Sequence, residues 1–262
     1  MRLRARTKYC IYTFLPGFAG QFPYYGTRVH FRPGSPIFRV VCESGIYEPH
    51  VVNALIPLVR PGTTVFDVGA NIGLMAIPVL HSCATCRVVS FEPSPNSVPY
   101  LRRTVNGSAY RDRWMVVEKG VSRQPGMSEF AIGGPKDALF EGFKSQDRLS
   151  RPRAIVVEVS SLDAEWHQLG CPEVSVIKID VEGAEGLVLE GAYELIKSCH
   201  PSLVLEWYEP YLQTYRTPVN RLLSVASELG YKVFALPGGV PIDDARSFLL
   251  QRTMCSNFVL LH

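Results

Sequence analysis

The chain has 262 residues, with 27 Lys and Arg against 24 Asp and Glu for a formal charge of +3, and 47% hydrophobic against 19% charged residues. That balance excludes an intrinsically disordered chain, and no apolar run approaches the ~20 residues of a membrane span. The length suits one large α/β unit over 1–262, read as an extension (1–44) packed on a core (45–262).

The basic start, Met1-Arg2-Leu3-Arg4-Ala5-Arg6, has too short an apolar follow-on for a signal peptide, so a cytoplasmic location is expected. Arg2, Arg4, Arg6, Lys8, Arg28, Arg32 and Arg39 all precede the first acid, Glu43. Such a lead can meet nucleic acid, an anionic membrane or an acidic substrate, or simply stay solvated. Seven scattered cysteines argue against a disulfide framework. Cys83 and Cys86 form one C-x-x-C but lack the second pair a structural zinc needs, so no metal site is expected there.

In chain order, the aromatic-rich residues 1–45, with Phe14, Phe18, Phe22, Tyr24, Tyr25 and Phe31, read as short strands. Gly45-Ile46-Tyr47-Glu48-Pro49 turns into a helix over 50–58, ended by Pro61-Gly62. A strand over 63–68 is apolar on both faces, as a buried parallel strand should be. A helix (72–80), strand (87–91), helix (97–106) and strand (114–119) follow. A hairpin-like pair at 127–132 and 154–160 comes next. The pattern closes with a strand (174–180), helix (184–198), strand (203–206), helix (220–229) and strands at 231–236 and 257–261. With no good helix between the last two, an antiparallel hairpin is expected at the C-terminus. Alternating strands and helices predict a doubly wound, mostly parallel sheet.

The most telling segment is Val65-Phe66-Asp67-Val68-Gly69-Ala70-Asn71-Ile72-Gly73-Leu74, followed by Val88-Val89-Ser90-Phe91-Glu92-Pro93. An apolar strand runs into a glycine turn, and a second strand ends in an acid nineteen positions after Gly73. A carboxylate about 20 residues past a glycine turn is the layout of an adenosine site, where it accepts from the ribose diol. A dinucleotide site wants a second glycine where Asn71 stands. S-adenosylmethionine brings a sulfonium and an ammonium but no phosphate, so the charge of Asp67 suits it and would repel a pyrophosphate.

A second constellation, Ile177-Lys178-Ile179-Asp180-Val181-Glu182-Gly183-Ala184-Glu185, lies where another strand meets a helix. Ligands on open α/β sheets bind at the carboxyl ends of strands, so Asp180 and Glu182 should face the crevice of Asp67 and Glu92. Lys178 needs a carboxylate partner within an apolar strand, and Asp180 is on its face. Glu185 falls in a helix's first turn and reads as structural. Glu206 ends a third strand.

With these motifs and Gly45-Ile46-Tyr47-Glu48-Pro49, Ser161-Leu162-Asp163, Val188-Leu189-Glu190-Gly191-Ala192 and Pro201, the chain resembles the FkbM family of S-adenosylmethionine-dependent methyltransferases over about 45–210. The resemblance implies a class I, Rossmann-like fold and transfer of a methyl group to hydroxyl oxygens of sugars, polyketides or other secondary metabolites. On this reading Asp67, Gly69, Asn71 and Gly73 hold the methionine end, Glu92 and Pro93 the ribose, and Gly120 and Val121 the adenine. Glu48 closes from the other side, and Asp180 borders the donor. Asp180 is the first choice for the base, with Glu182 and Glu206 behind it, and His50 and His200 as weaker candidates. Mg²⁺ between Asp180 and Glu206 is an alternative that is not favoured. Residues 1–40 and 133–153 fit no family pattern and are expected to select the acceptor, a small molecule. The rivals are a non-catalytic adenosine-binding module, an NAD-dependent oxidoreductase and a nucleic-acid methyltransferase. The chain lacks the N/D-P-P-Y/F element with which base-methylating enzymes hold an extruded base, so no nucleic-acid partner is expected.

Overall fold

The computed structural model describes residues 3–14, 20–137, 141–143 and 152–262. Arg2, Phe18 and much of the 133–153 segment lie outside the described residues. The chain opens with helix α1 (Leu3–Phe14), strands β1 (Gln21–Tyr24) and β2 (Thr27–His30), and helix α2 (Ile37–Ser44). β1 and β2 pair as an antiparallel hairpin. These are the strands expected of the extension; the two helices beside them are additional. The signals for α2 are plain in retrospect. Ile37, Phe38 and Val41 bury one face, and Gly45 closes the helix in a left-handed C-cap at φ 81°. Phe38 stacks on Phe22 with ring centroids 4.5 Å apart.

The core then runs through α3 (Pro49–Leu55), β3 (Thr64–Val68), α4 (Ala76–Ser82), β4 (Arg87–Phe91), α5 (Val98–Asn106) and β5 (Trp114–Val117). β6 (Gly120–Val121), β7 (Gly126–Ile132) and β8 (Arg153–Ser160) form a separate small sheet in the order β6-β8-β7. The expected pair is its antiparallel β7–β8 ribbon. Helix α6 (Leu162–Gln168), β9 (Val174–Ile179), α7 (Glu185–Glu190), α8 (Tyr193–Cys199), β10 (Ser202–Glu206), α9 (Glu209–Thr214) and α10 (Arg221–Leu229) follow. The chain ends with β11 (Lys232–Leu236), β12 (Val240–Ile242), α11 (Ala245–Gln251) and β13 (Asn257–Leu261).

Eight strands make the main sheet, ordered β12-β11-β13-β10-β9-β3-β4-β5. The five from β10 to β5 are parallel. β13 inserts antiparallel between β10 and β11. β11 and β13, the two strands expected as a C-terminal hairpin, do pair antiparallel, but β12, which pairs with β11, and α11 lie between them in the chain. Sequence reading missed α11, although Asp244 and Ser247 form a capping box at its start. The helix expected over 184–198 is broken at Gly191. A Cβ there would lie 2.2 Å from the Ser122 carbonyl oxygen. Asp163 then caps α8, accepting from the Glu194 and Leu195 N–H groups at 3.1 and 2.9 Å.

Side-chain alternation explains the two layers. Phe66, Val68, Phe91, Ile177, Ile179 and Leu205 pack on one face with α7, α8 and α10. Val65, Val88, Val176 and Val204 pack on the other with α3, α4, α5 and the extension. Each fully buried Phe or Leu contributes ~1.5–3 kcal/mol. Among the described residues no helix is long and apolar enough to cross a membrane.

Candidate functional site

β3 lies between β4 and β9, where the winding of the sheet reverses. Open α/β sheets bind ligands outside the carboxyl ends of strands at such a point. Val68 is in register with both Phe91 and Ile179, so Gly69, Glu92 and Asp180 leave three neighbouring strands together. The turn is pinned by its backbone. Gly69 and Ala70 N–H donate to the Phe91 carbonyl at 3.0 Å, and Asp180 N–H donates to the Val68 carbonyl at 3.1 Å. Gly69 is left-handed at φ 80°, and a Cβ on it would sit 1.8 Å from the Asp180 carbonyl oxygen. Only glycine fits there.

These strand ends open into a cleft. Gly69, Asn71, Glu92, Pro93, Gly120, Val121, Asp180 and Glu182 all line it. Asp67, Gly73, Glu48 and Glu206 are not brought to its wall. Gly73 instead makes room for Trp114, whose ring a Cβ would approach to 2.5 Å.

Glu92 is 6% exposed and held at both oxygens. Its Oε2 accepts from the Asn71 N–H and its Oε1 from the Ser94 N–H, both at 2.8 Å. Asn71 takes a left-handed φ of 50° to aim that N–H. Burial pushes the Glu92 carboxyl up to about 7; the two N–H donors oppose the shift, and nearby Glu141 adds to it. Glu141 escaped sequence reading. It accepts from the Ser94 hydroxyl, from Asn96 Nδ2 at 2.7 Å and from Gly133 N–H at 3.0 Å. Its segment carries no periodic pattern, so only tertiary folding reveals it.

Lys178 lines the cleft, 3.2 Å from Asp180 Oδ2 and 3.8 Å from Asp67 Oδ1. Burial alone would lower its pKa, but Asp180, Asp67 and Glu48 outweigh burial and hold it above the ordinary lysine value. Asp67 is 2% exposed, and burial raises its carboxyl while Lys178 opposes the shift. It therefore anchors Lys178 from beneath the turn.

Burial and Asp180 push Glu48 up to about 7. Burial, then Asp180, Glu185 and Glu48, push Glu206 up to about 9. Glu48 and Glu182 both adopt left-handed backbone, at φ 40° and 56°; such strain gathers at ligand sites. Tyr47 lines the cleft, and burial together with Glu48, Asp180, Glu206 and Glu182 keeps its hydroxyl protonated. Glu185 has a structural place. Its Oε1 accepts from the Val181 and Gly183 N–H groups at 3.0 and 3.1 Å and holds the turn after β9.

His50 Nε2 meets Asn257 Nδ2 at 3.3 Å, and burial lowers its pKa. His200 caps α8 and packs on His262 with centroids 4.1 Å apart, at the opposite end of β10 from the cleft. Arg113 donates to the carbonyls of Cys83 and Cys86, so the C-x-x-C loop packs as an ordinary helix exit. Among the described residues no group of three or more His, Cys, Asp or Glu is spaced to hold a metal ion.

A doubly wound sheet with a glycine turn at its switch point and an acid just past the next strand defines a Rossmann-like fold. Residues 67–233 match the methyltransferase FkbM domain, and the chain belongs to that family of methyltransferases. It is 27% identical over 203 residues to the 31-O-demethyl-FK506 methyltransferase FkbM of Streptomyces tacrolimicus, a match covering 65% of this chain and 74% of that protein. It is 26% identical over 185 residues to the AMB antimetabolite synthetase AmbE of Pseudomonas aeruginosa, covering 57% of this chain and 8% of the synthetase. Its fold resembles the crystal structure of methyltransferase FkbM from Methylobacillus flagellatus KT with a TM-score of 0.50 at 16% identity, covering 86% of this chain and 53% of that one. The chain thus spans a small part of the synthetase and about half of the solved relative.

Proposed function

We propose that the cleft binds S-adenosylmethionine and that the chain moves its methyl group to a hydroxyl oxygen of a small molecule. The observation that carries this reading is the convergence of Gly69, Glu92 and Asp180 at one switch point. The residues fit the cofactor. Among the described residues Glu92 accepts one bond at each oxygen, which leaves capacity for a ribose diol. Gly69 keeps the turn open to close approach, Gly120 and Val121 offer an apolar wall, and the acids below suit a sulfonium and an ammonium. The O-methyl acceptor is supported by the Streptomyces relative, a 31-O-demethyl-FK506 methyltransferase.

When bound, the cofactor supplies an electrophilic methyl group. The chain's own part is orientation, which can be worth about 7–11 kcal/mol, and acceptance of the hydroxyl proton. Asp180 and Glu182 face the cleft and can take that proton. Glu206 and Glu48 stand behind Asp180, their own carboxyls pushed toward the protonated form by burial and by Asp180. The extension belongs to the same unit on this reading, because Ile37 lines the cleft with the core residues.

Titration calorimetry tests the cofactor. S-adenosylmethionine should bind, and Glu92→Ala should weaken it by roughly 1–3 kcal/mol. Preference for NAD, or unchanged affinity in the variant, would overturn the assignment. Labelled S-adenosylmethionine incubated with hydroxylated metabolites, read by mass spectrometry, tests the acceptor class.

A further inference from the structure

Behind the Ser94–Ser97 turn, on the side away from the cleft, the β1–β2 hairpin meets α5. His30 N–H donates to Thr104 Oγ1 at 2.9 Å and joins the two elements. A groove along this seam is lined by Arg32, Arg103, Asn96 and Tyr100, and it neighbours a second hollow lined by Arg28 and His30. Burial lowers the His30 imidazole's pKa, and the charges of Arg103 and Arg28 lower it further.

The charge here is uncompensated. Arg39, Arg60, Arg102, Arg111, Arg123, Arg221 and Arg252 each pair with a carboxylate. Among the described residues, Arg28, Arg32 and Arg103 do not. Arg32 Nη1 is moreover buried and lacks a hydrogen-bond partner among the described residues. A buried guanidinium donor left unmade is costly, and a ligand oxygen would satisfy it.

We propose that the seam between the hairpin and α5 is an anion site that takes the phosphoryl group of a small phosphorylated ligand, gripped by Arg32 and Arg103 with Arg28 as the third cation. One bidentate arginine suffices for a carboxylate, whereas three guanidiniums match the charge and terminal oxygens of a phosphoryl group. A nucleic-acid backbone would call for a row of cations spaced along a surface; here Arg32 and Arg103 share one groove and Arg28 lines the hollow beside it. Asn96 borders the groove and donates to Glu141 at 2.7 Å, so the anion site is one side chain from the cleft wall. The proposal does not depend on the methyl-transfer reading.

Calorimetry on the full chain with inorganic pyrophosphate as probe, at low and moderate salt, is the test. One site should be seen. Arg103→Gln and Arg32→Gln should each weaken it about tenfold or more, as loss of a charge-assisted bond implies. Arg111→Gln, outside the groove, should leave it unchanged. Arg103 and Arg28 are exposed, so Arg103→Gln and Arg28→Gln keep the test valid should Arg32→Gln unfold. Absence of pyrophosphate binding, or equal binding by the variants, would overturn the site. So would capture of a duplex oligonucleotide that pyrophosphate cannot displace.

Discussion

Lys178 on β9 and Asp180, just past its end, meet at 3.2 Å, and the same ammonium reaches Asp67 on the neighbouring strand at 3.8 Å. One buried cation thus serves two carboxylates, one facing the cleft and one beneath it. Removing it strands both. Lys178→Met should cost roughly 3–5 kcal/mol of stability, the penalty of leaving buried charge uncompensated. Urea unfolding measures this, and a loss below about 1 kcal/mol would show that the pairing matters little.

Gly69→Ala should be far worse than an ordinary glycine substitution. Its Cβ would meet the Asp180 carbonyl oxygen at 1.8 Å, whereas Gly26, also left-handed at φ 73°, has nothing within 4 Å. Gly26→Ala should cost only the backbone strain, ~1–2 kcal/mol. Gly69→Ala adds a displaced β9 turn and should also abolish cofactor binding. Thermal melts of the two variants side by side, with and without S-adenosylmethionine, decide the point.

Stability should fall as pH rises from about 4.5 to about 7. Burial raises Glu185 from 4.5 to about 7, so within that window the folded chain keeps a proton that the unfolded chain has released. Glu92 acts in the same direction. Glu185→Gln keeps an acceptor for the Val181 and Gly183 N–H groups and removes the titration. Relative to the parent it should gain on the order of 3 kcal/mol across the window. Parallel pH-stability curves for the two proteins would disprove the assignment.

Asp180→Asn should slow turnover roughly 10²–10⁴-fold if Asp180 takes the acceptor proton, with S-adenosylmethionine affinity little changed. Glu182→Gln is the matching experiment for the other acid on the cleft wall. Exhaustive chelation should leave the parent rate intact; its loss would bring back a metal bridging Asp180 and Glu206.

Legibility followed the range of the forces. β3, β4 and β9 could be read from sequence because burial on both faces writes a continuous apolar run. The Lys178–Asp180 pair was readable because the two residues lie two positions apart in the chain. Glu141 was not, since its partners Ser94, Asn96 and Gly133 come together only when the small sheet folds over the cleft. Asp67 looked like a ligand of the cofactor because strand-end position does not reveal depth; its carboxylate points to Lys178. The helices α2 and α11 were written in short caps, Gly45 and Asp244, that were outweighed by the surrounding aromatic and proline-rich composition.

The contact between Gly69 and the Asp180 carbonyl ties two turns that are far apart in sequence. Remodelling either loop by itself in the laboratory should therefore fail, while paired replacements drawn from one relative should succeed. Natural variation ought to respect the same close approach: lineages that change one turn should carry a matching change in the other.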